Sequence, residues 1–66
     1  MTLIKNANEA KSLLKIGTRL KFDGYPTVWV VQSIEERGPV ITLRDGSHKD
    51  LFDWGMFAES NAQIIA

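Results

Sequence analysis

The chain has 66 residues, with 8 basic and 8 acidic side chains, one His and no Cys. That length holds one domain burying roughly 60% of its unfolded surface, and the absent cysteines exclude a disulfide framework or a thiolate zinc site. A formal net charge of zero argues against a dedicated, sequence-blind nucleic-acid binder, which is normally basic. Hydrophobic residues make up 44% of the chain, enough for a small core. No apolar run approaches the ~20 residues of a membrane span, and residues 1–5 do not open a signal peptide. The expected compartment is the cytoplasm, with no membrane partner.

The charge is balanced in sum but not in position. Residues 1–22 carry Lys5, Lys11, Lys15, Arg19 and Lys21 against Glu9 alone, a net +4. Residues 23–66 carry Arg37, Arg44 and Lys49 against seven carboxylates, a net −4. An asymmetry of this kind marks either a basic and an acidic contact surface or two segments that neutralise each other on folding. The second is expected, because exposed charges within ~8–10 Å screen one another.

Asn6-Ala7-Asn8-Glu9 places an amide three residues before a Glu, close to the reciprocal capping arrangement of a helix start. Ala10, Leu13 and Leu14 follow at helical spacing and give one apolar stripe, with Gly17 as the stop. The expected helix spans 6–16. It is too short to persist alone in water, so it must dock. Next, 18–22 alternates: Leu20 and Phe22 face one way, Arg19 and Lys21 the other, which is a half-buried strand. Residues 23–26 read as a loop, with Pro26 unable to donate to a ladder.

The run 27–34 is β-branched and aromatic and reads as the central strand. Residues 28–31 are four consecutive apolar residues that do not alternate, so both faces of this strand are expected to be covered. The helical stripe is the candidate lid for the second face, and a second copy of the chain, in a homodimer, is the rival. After a turn at 35–39, residues 40–43 form the next strand. Asp45-Gly46 is the strongest hairpin signal in the chain. A three-residue loop at 44–46 sets Leu43 opposite Ser47 and returns Leu51 to the face of Ile41 and Leu43. It also predicts positive φ at Gly46. The segment 53–61 is expected to hold a single 3₁₀ turn, because Gly55 interrupts the helical spacing of Leu51, Trp54 and Ala58. A last strand follows at 62–65.

The fold class is thus mainly β (α+β), a single domain at 1–66. Gly17-Thr18-Arg19-Leu20, Trp29-Val30-Val31, Val40-Ile41-Thr42-Leu43 with Asp45-Gly46, and Ile64-Ile65 carry a resemblance to an SH3-like small barrel. It implies five strands closing a barrel over 17–66, a longer loop after the first, and a 3₁₀ turn before the last. The chain also resembles short accessory proteins of bacteriophages and mobile elements, many of which bind and modulate a host protein. Small barrels bind proline-rich peptides, methylated lysines, nucleic acids or other subunits, so fold alone does not assign function. No Ala-Leu-Tyr-Asp-Tyr-like run occurs here, which speaks against proline-peptide recognition.

Chemistry-bearing groups concentrate in the hairpin and the tail. Ser47, His48, Asp45 and Asp50 invite a nucleophile–base–carboxylate reading, but adjacent strand residues point to opposite faces, so Ser47 and His48 do not meet. His48, Asp50 and Asp53 lack a tight metal-ligand spacing. Nothing in the sequence calls for a catalytic role, a cofactor or a metal. Phe52, Trp54, Met56 and Phe57 crowd one turn beside Asp50, Asp53 and Glu59. Trp, Met and Phe are enriched where proteins touch, and the acids would steer a partner. The equal alternative is that these aromatics plug the open end of the barrel and cover its core. The expectation is a non-enzymatic protein-binding module, a small regulator or inhibitor of a larger protein. The alternative is nucleic-acid binding through Lys11, Lys15, Arg19 and Lys21, with Tyr25 to stack on a base.

Overall fold

The computed structural model describes residues 2–65. Its elements are β1 (Thr2–Leu3), α1 (Ala7–Leu13), β2 (Arg19–Phe22), β3 (Trp29–Ile34), β4 (Pro39–Leu43), β5 (Asp50–Leu51), α2 (Met56–Glu59) and β6 (Ala62–Ile65). The molecule is mainly β, as expected. All strand pairs are antiparallel, in one sheet of order β1-β6-β2-β3-β4-β5. Among the described residues β1 and β5 are its edges, so the sheet is open there, and it has six strands where the sequence pointed to five. The added strand, β1, precedes the helix and pairs with β6.

Asn6 caps α1 as its spacing to Glu9 predicts: the side-chain oxygen accepts from the Glu9 backbone N–H at 2.8 Å. The helix ends earlier than 16. Leu14 leaves helical backbone, and the Lys15 N–H donates to Thr18 Oγ1 at 3.0 Å. Gly17 (φ 94°) shapes the turn that follows, and its N–H donates to the Val31 carbonyl at 2.8 Å, which ties the chain into the sheet. Ala10 and Leu14 enter a core shared with Ile4, Leu20, Val31, Ile41, Phe57 and Ala62, while Leu13 stays exposed.

The helix therefore covers the face of the sheet that holds Val31, not the opposite one. Val30 pairs with Arg19 and Thr42 on the outer face and is only half-buried. The expected sandwich at 28–31 is corrected: Val31 is buried, while Val28, Trp29 and Val30 are partly covered. The outer face is sealed locally by a polar pair. Buried Thr42 accepts from Gln32 Nε2 at 3.0 Å and donates to the Leu43 carbonyl at 2.9 Å, so its hydroxyl is satisfied.

The β4–β5 hairpin begins as its sequence predicts. Gly46 has φ 87°, and the Leu43 N–H donates to the Ser47 carbonyl at 2.9 Å. The register then slips. Ile41 faces Asp50 and Val40 faces Leu51, one residue beyond what the Leu43–Ser47 pairing would give. His48, in left-handed backbone at φ 56°, lies in the stretch that holds the extra residue. Side chains alternate with period two, so a slip of one exchanges the faces. Leu51, expected inside, turns outward and is 38% exposed. Phe52 takes the inner side, its ring 5.3 Å from Phe22 and 5.3 Å from Phe57. Left-handed backbone at a residue with a Cβ costs ~1–2 kcal/mol. Two tilted ring contacts, each worth ~0.5–1.5 kcal/mol beyond area burial, offset it.

The tail forms α2, a short α-helical segment in place of the expected 3₁₀ turn. The Ser60 N–H donates to the Met56 carbonyl at 3.0 Å, and Gly55 heads the segment rather than breaking it. That placement carries Phe57 into the core.

Candidate functional site

The site arises where a ladder stops. β2 and β3 pair at Arg19–Val30 and Leu20–Trp29. Past that point Lys21 and Phe22 stay paired with Gln63 and Ala62 of β6, while the chain at 23–28 departs from the sheet. Gly24 (φ 82°) turns it, the Tyr25 N–H donates back to the Phe22 carbonyl at 3.0 Å, and Pro26 has no N–H to restart the ladder. Phe22 and Trp29 are left flanking an opening on the core side of the sheet.

That opening is a solvent-open cavity of about 450 Å³ lined by Phe22, Tyr25, Thr27, Trp29, Asp50, Phe52 and Ser60. Loop 23–28 supplies Tyr25 and Thr27, the slipped β5 register supplies Asp50 and Phe52, and the end of α2 supplies Ser60. Its walls are largely aromatic, which is the usual make-up of a recognition pocket with a few polar groups for orientation. Tyr25 is 67% exposed and stands at the rim. Asp50 is the one charged residue of the lining, and among the described residues no hydrogen bond or ion pair engages its carboxylate. A second, more polar cavity of about 350 Å³ adjoins, sharing Phe22 and Tyr25 and bounded by Lys21, Asp23 and Gln63.

The residues singled out as a protein contact are dispersed by this geometry. Phe57 is 0% exposed and belongs to the core, so it is corrected from docking anchor to core plug. Phe52 is half-buried and lines the cavity together with Asp50. Trp54 is half-buried, its indole N–H 3.4 Å from the Glu36 carbonyl. Asp53 pairs with Arg37 at 3.3 Å, an exposed bridge of little energetic weight. Met56 and Glu59 are exposed on α2 and do not line the cavity.

The basic residues separate as well. Lys11 and Lys15 are exposed on α1 and its exit, over the core face, whereas Arg19 and Lys21 project from the outer face of β2. In the hairpin, Ser47 turns to Asp45 rather than to His48: its Oγ and its N–H both donate to the Asp45 carboxylate, at 2.6 and 2.9 Å. These two bonds, the side-chain one foremost, hold the Asp45 pKa below its ordinary value. His48, Asp50 and Asp53 are not gathered into a three-ligand cluster among the described residues.

The strong patterning of their strands predicts Phe22 and Trp29 as core; the structure makes them half-buried cavity walls packed against the core. Thr27 and Ser60 had no distinguishing pattern. The signal present was Gly24 with Pro26, which ends the ladder between two aromatic residues. Comparison of the chain with protein-family models, with curated proteins and with solved structures finds no match in any of the three.

Proposed function

We propose that this protein is a non-enzymatic binding module for another protein, and that its contact site is the aromatic cavity between loop 23–28, β5 and α2. The observation that carries this reading is a solvent-open recess of about 450 Å³ whose aromatic walls the core does not consume. Exposed aromatic surface of this kind favours a partner that fills it and excludes water. The proposal keeps the expected class of function and moves its site from the Trp54–Phe57 turn to the other side of Phe52. The proposed fold is a variant of the SH3-like barrel, with β1 added and the sheet left open. Its support is the longer loop after β2, the short turn after β3 and the helical turn before the last strand.

Selection of displayed random peptides against the folded protein tests the site, with binders mapped by amide chemical-shift changes. Binders that move Phe22, Tyr25, Trp29 and Phe52, and that weaken with Tyr25→Ala, support it. A selection yielding no binder, or only binders that move other surfaces, overturns it.

The second reading is nucleic-acid binding, favoured by the exposed Tyr25 ring beside Lys21 at the adjoining cavity. Affinity for a single-stranded oligonucleotide that falls steeply with salt supports it. No binding at low salt removes it. Among the described residues no helix is long and apolar enough to cross a membrane.

A further inference from the structure

The cavity combines two features that select a ligand by charge. Phe22, Tyr25, Trp29 and Phe52 present aromatic surface, and the faces of such rings attract cations. Asp50 adds a carboxylate that, among the described residues, has no cation of its own. The segment from 23 onward, which supplies all of this lining except Phe22, carries net negative charge. An anionic or neutral polar group would meet the carboxylate unfavourably or leave the ring faces unused.

We propose that the cavity receives an arginine side chain of the protein partner. Guanidinium is planar, stacks on aromatic faces and is more weakly hydrated than ammonium, so it gives up less on entering an apolar recess. The exposed Asp50 carboxylate, engaged by no hydrogen bond or ion pair among the described residues, offers two acceptor oxygens to match its two-pronged donor edge, a pairing ammonium cannot make. The register slip at β5 is what makes this chemistry available, since in the unslipped register Leu51 would take the inner side instead of Asp50 and Phe52.

This inference rests on the proposed binding site, and one titration series separates the two. The probe is an acetylated, amidated pentapeptide with arginine at its centre and glycine elsewhere, followed by amide shifts of residues 22–29 and 50–52. Its controls carry lysine or citrulline at the same position. The expected result is saturable shifts at these residues, at least about tenfold weaker with citrulline and with Asp50→Asn, and clearly weakened with Tyr25→Leu. Both substituted residues are exposed, so these variants are expected to fold, and the amide spectrum verifies it. Equal binding of the citrulline peptide, or unchanged affinity in Asp50→Asn, overturns the arginine assignment. So does the absence of any shift with the arginine peptide. If display-selected peptides still occupy the cavity in that case, the binding site stands and only its ligand class is wrong.

Discussion

A Cβ placed on Gly38 would lie 1.9 Å from the carbonyl oxygen of Phe52. The backbone of β5's exit therefore passes directly over this glycine, and the Phe52 N–H donates to the neighbouring Pro39 carbonyl at 3.0 Å. The approach seats Phe52 between Phe22 and Phe57. Gly38→Ala must push that backbone aside. The expected cost is about 1–3 kcal/mol of stability, typical of overpacking a fitted contact. Urea unfolding measures it, and the same variant is expected to lose peptide binding at the cavity.

His48 occupies left-handed backbone at φ 56° beside the extra residue of the hairpin. A β-branched side chain is least tolerated there. His48→Val is expected to lower stability by about 1–2 kcal/mol. His48→Gly is expected to leave it unchanged within about 1 kcal/mol, since freedom at φ > 0 compensates the entropy of glycine. Thermal unfolding of the two variants side by side checks the ordering.

Asp45 gives the fold an acid-sensitive contact. Its pKa is lowered in the folded chain by the Ser47 hydroxyl and amide. A lowered folded-state pKa adds stability that is present above the unfolded value and lost as pH falls through the folded one. The stability difference between the natural protein and Asp45→Ala is therefore expected to be steady near neutrality and to shrink below about pH 4. A difference that grows on acidification would contradict this assignment. Denaturant midpoints collected from pH 7 to pH 2 supply the test.

Asn6 satisfies the Glu9 N–H at the start of a helix of 7 residues. Loss of such a cap costs about 1 kcal/mol. Asn6→Ala is expected to show that loss, with faster amide exchange at Asn8 and Glu9 than in the sheet.

What the sequence made legible was local. The cap at Asn6, the alternation of Leu20 and Phe22, the turn glycine at 46 and the last strand each follow from residues within a few positions of one another. What it hid depends on distant partners. Thr2 and Leu3 form a strand because Ile64 and Gln63 lie alongside, and two residues carry no pattern of their own. The slip at His48 has no local signature either, because it follows from how Phe52 packs against Phe22 and Phe57. The same slip explains why the site was half legible. Asp50 and Phe52 stood out by residue type, but Phe22 and Trp29 looked like ordinary core until the ladder between them was seen to end.

The cavity exists in this form only if Phe52, not Leu51, faces inward. Nuclear Overhauser contacts measure this directly. Cross-peaks from the Phe52 ring to the rings of Phe22 and Phe57, with none from the Leu51 methyls to the core, are the expected result. Leu51 methyl contacts to Leu20 or Phe57, with the Phe52 ring silent toward both phenylalanines, would contradict it.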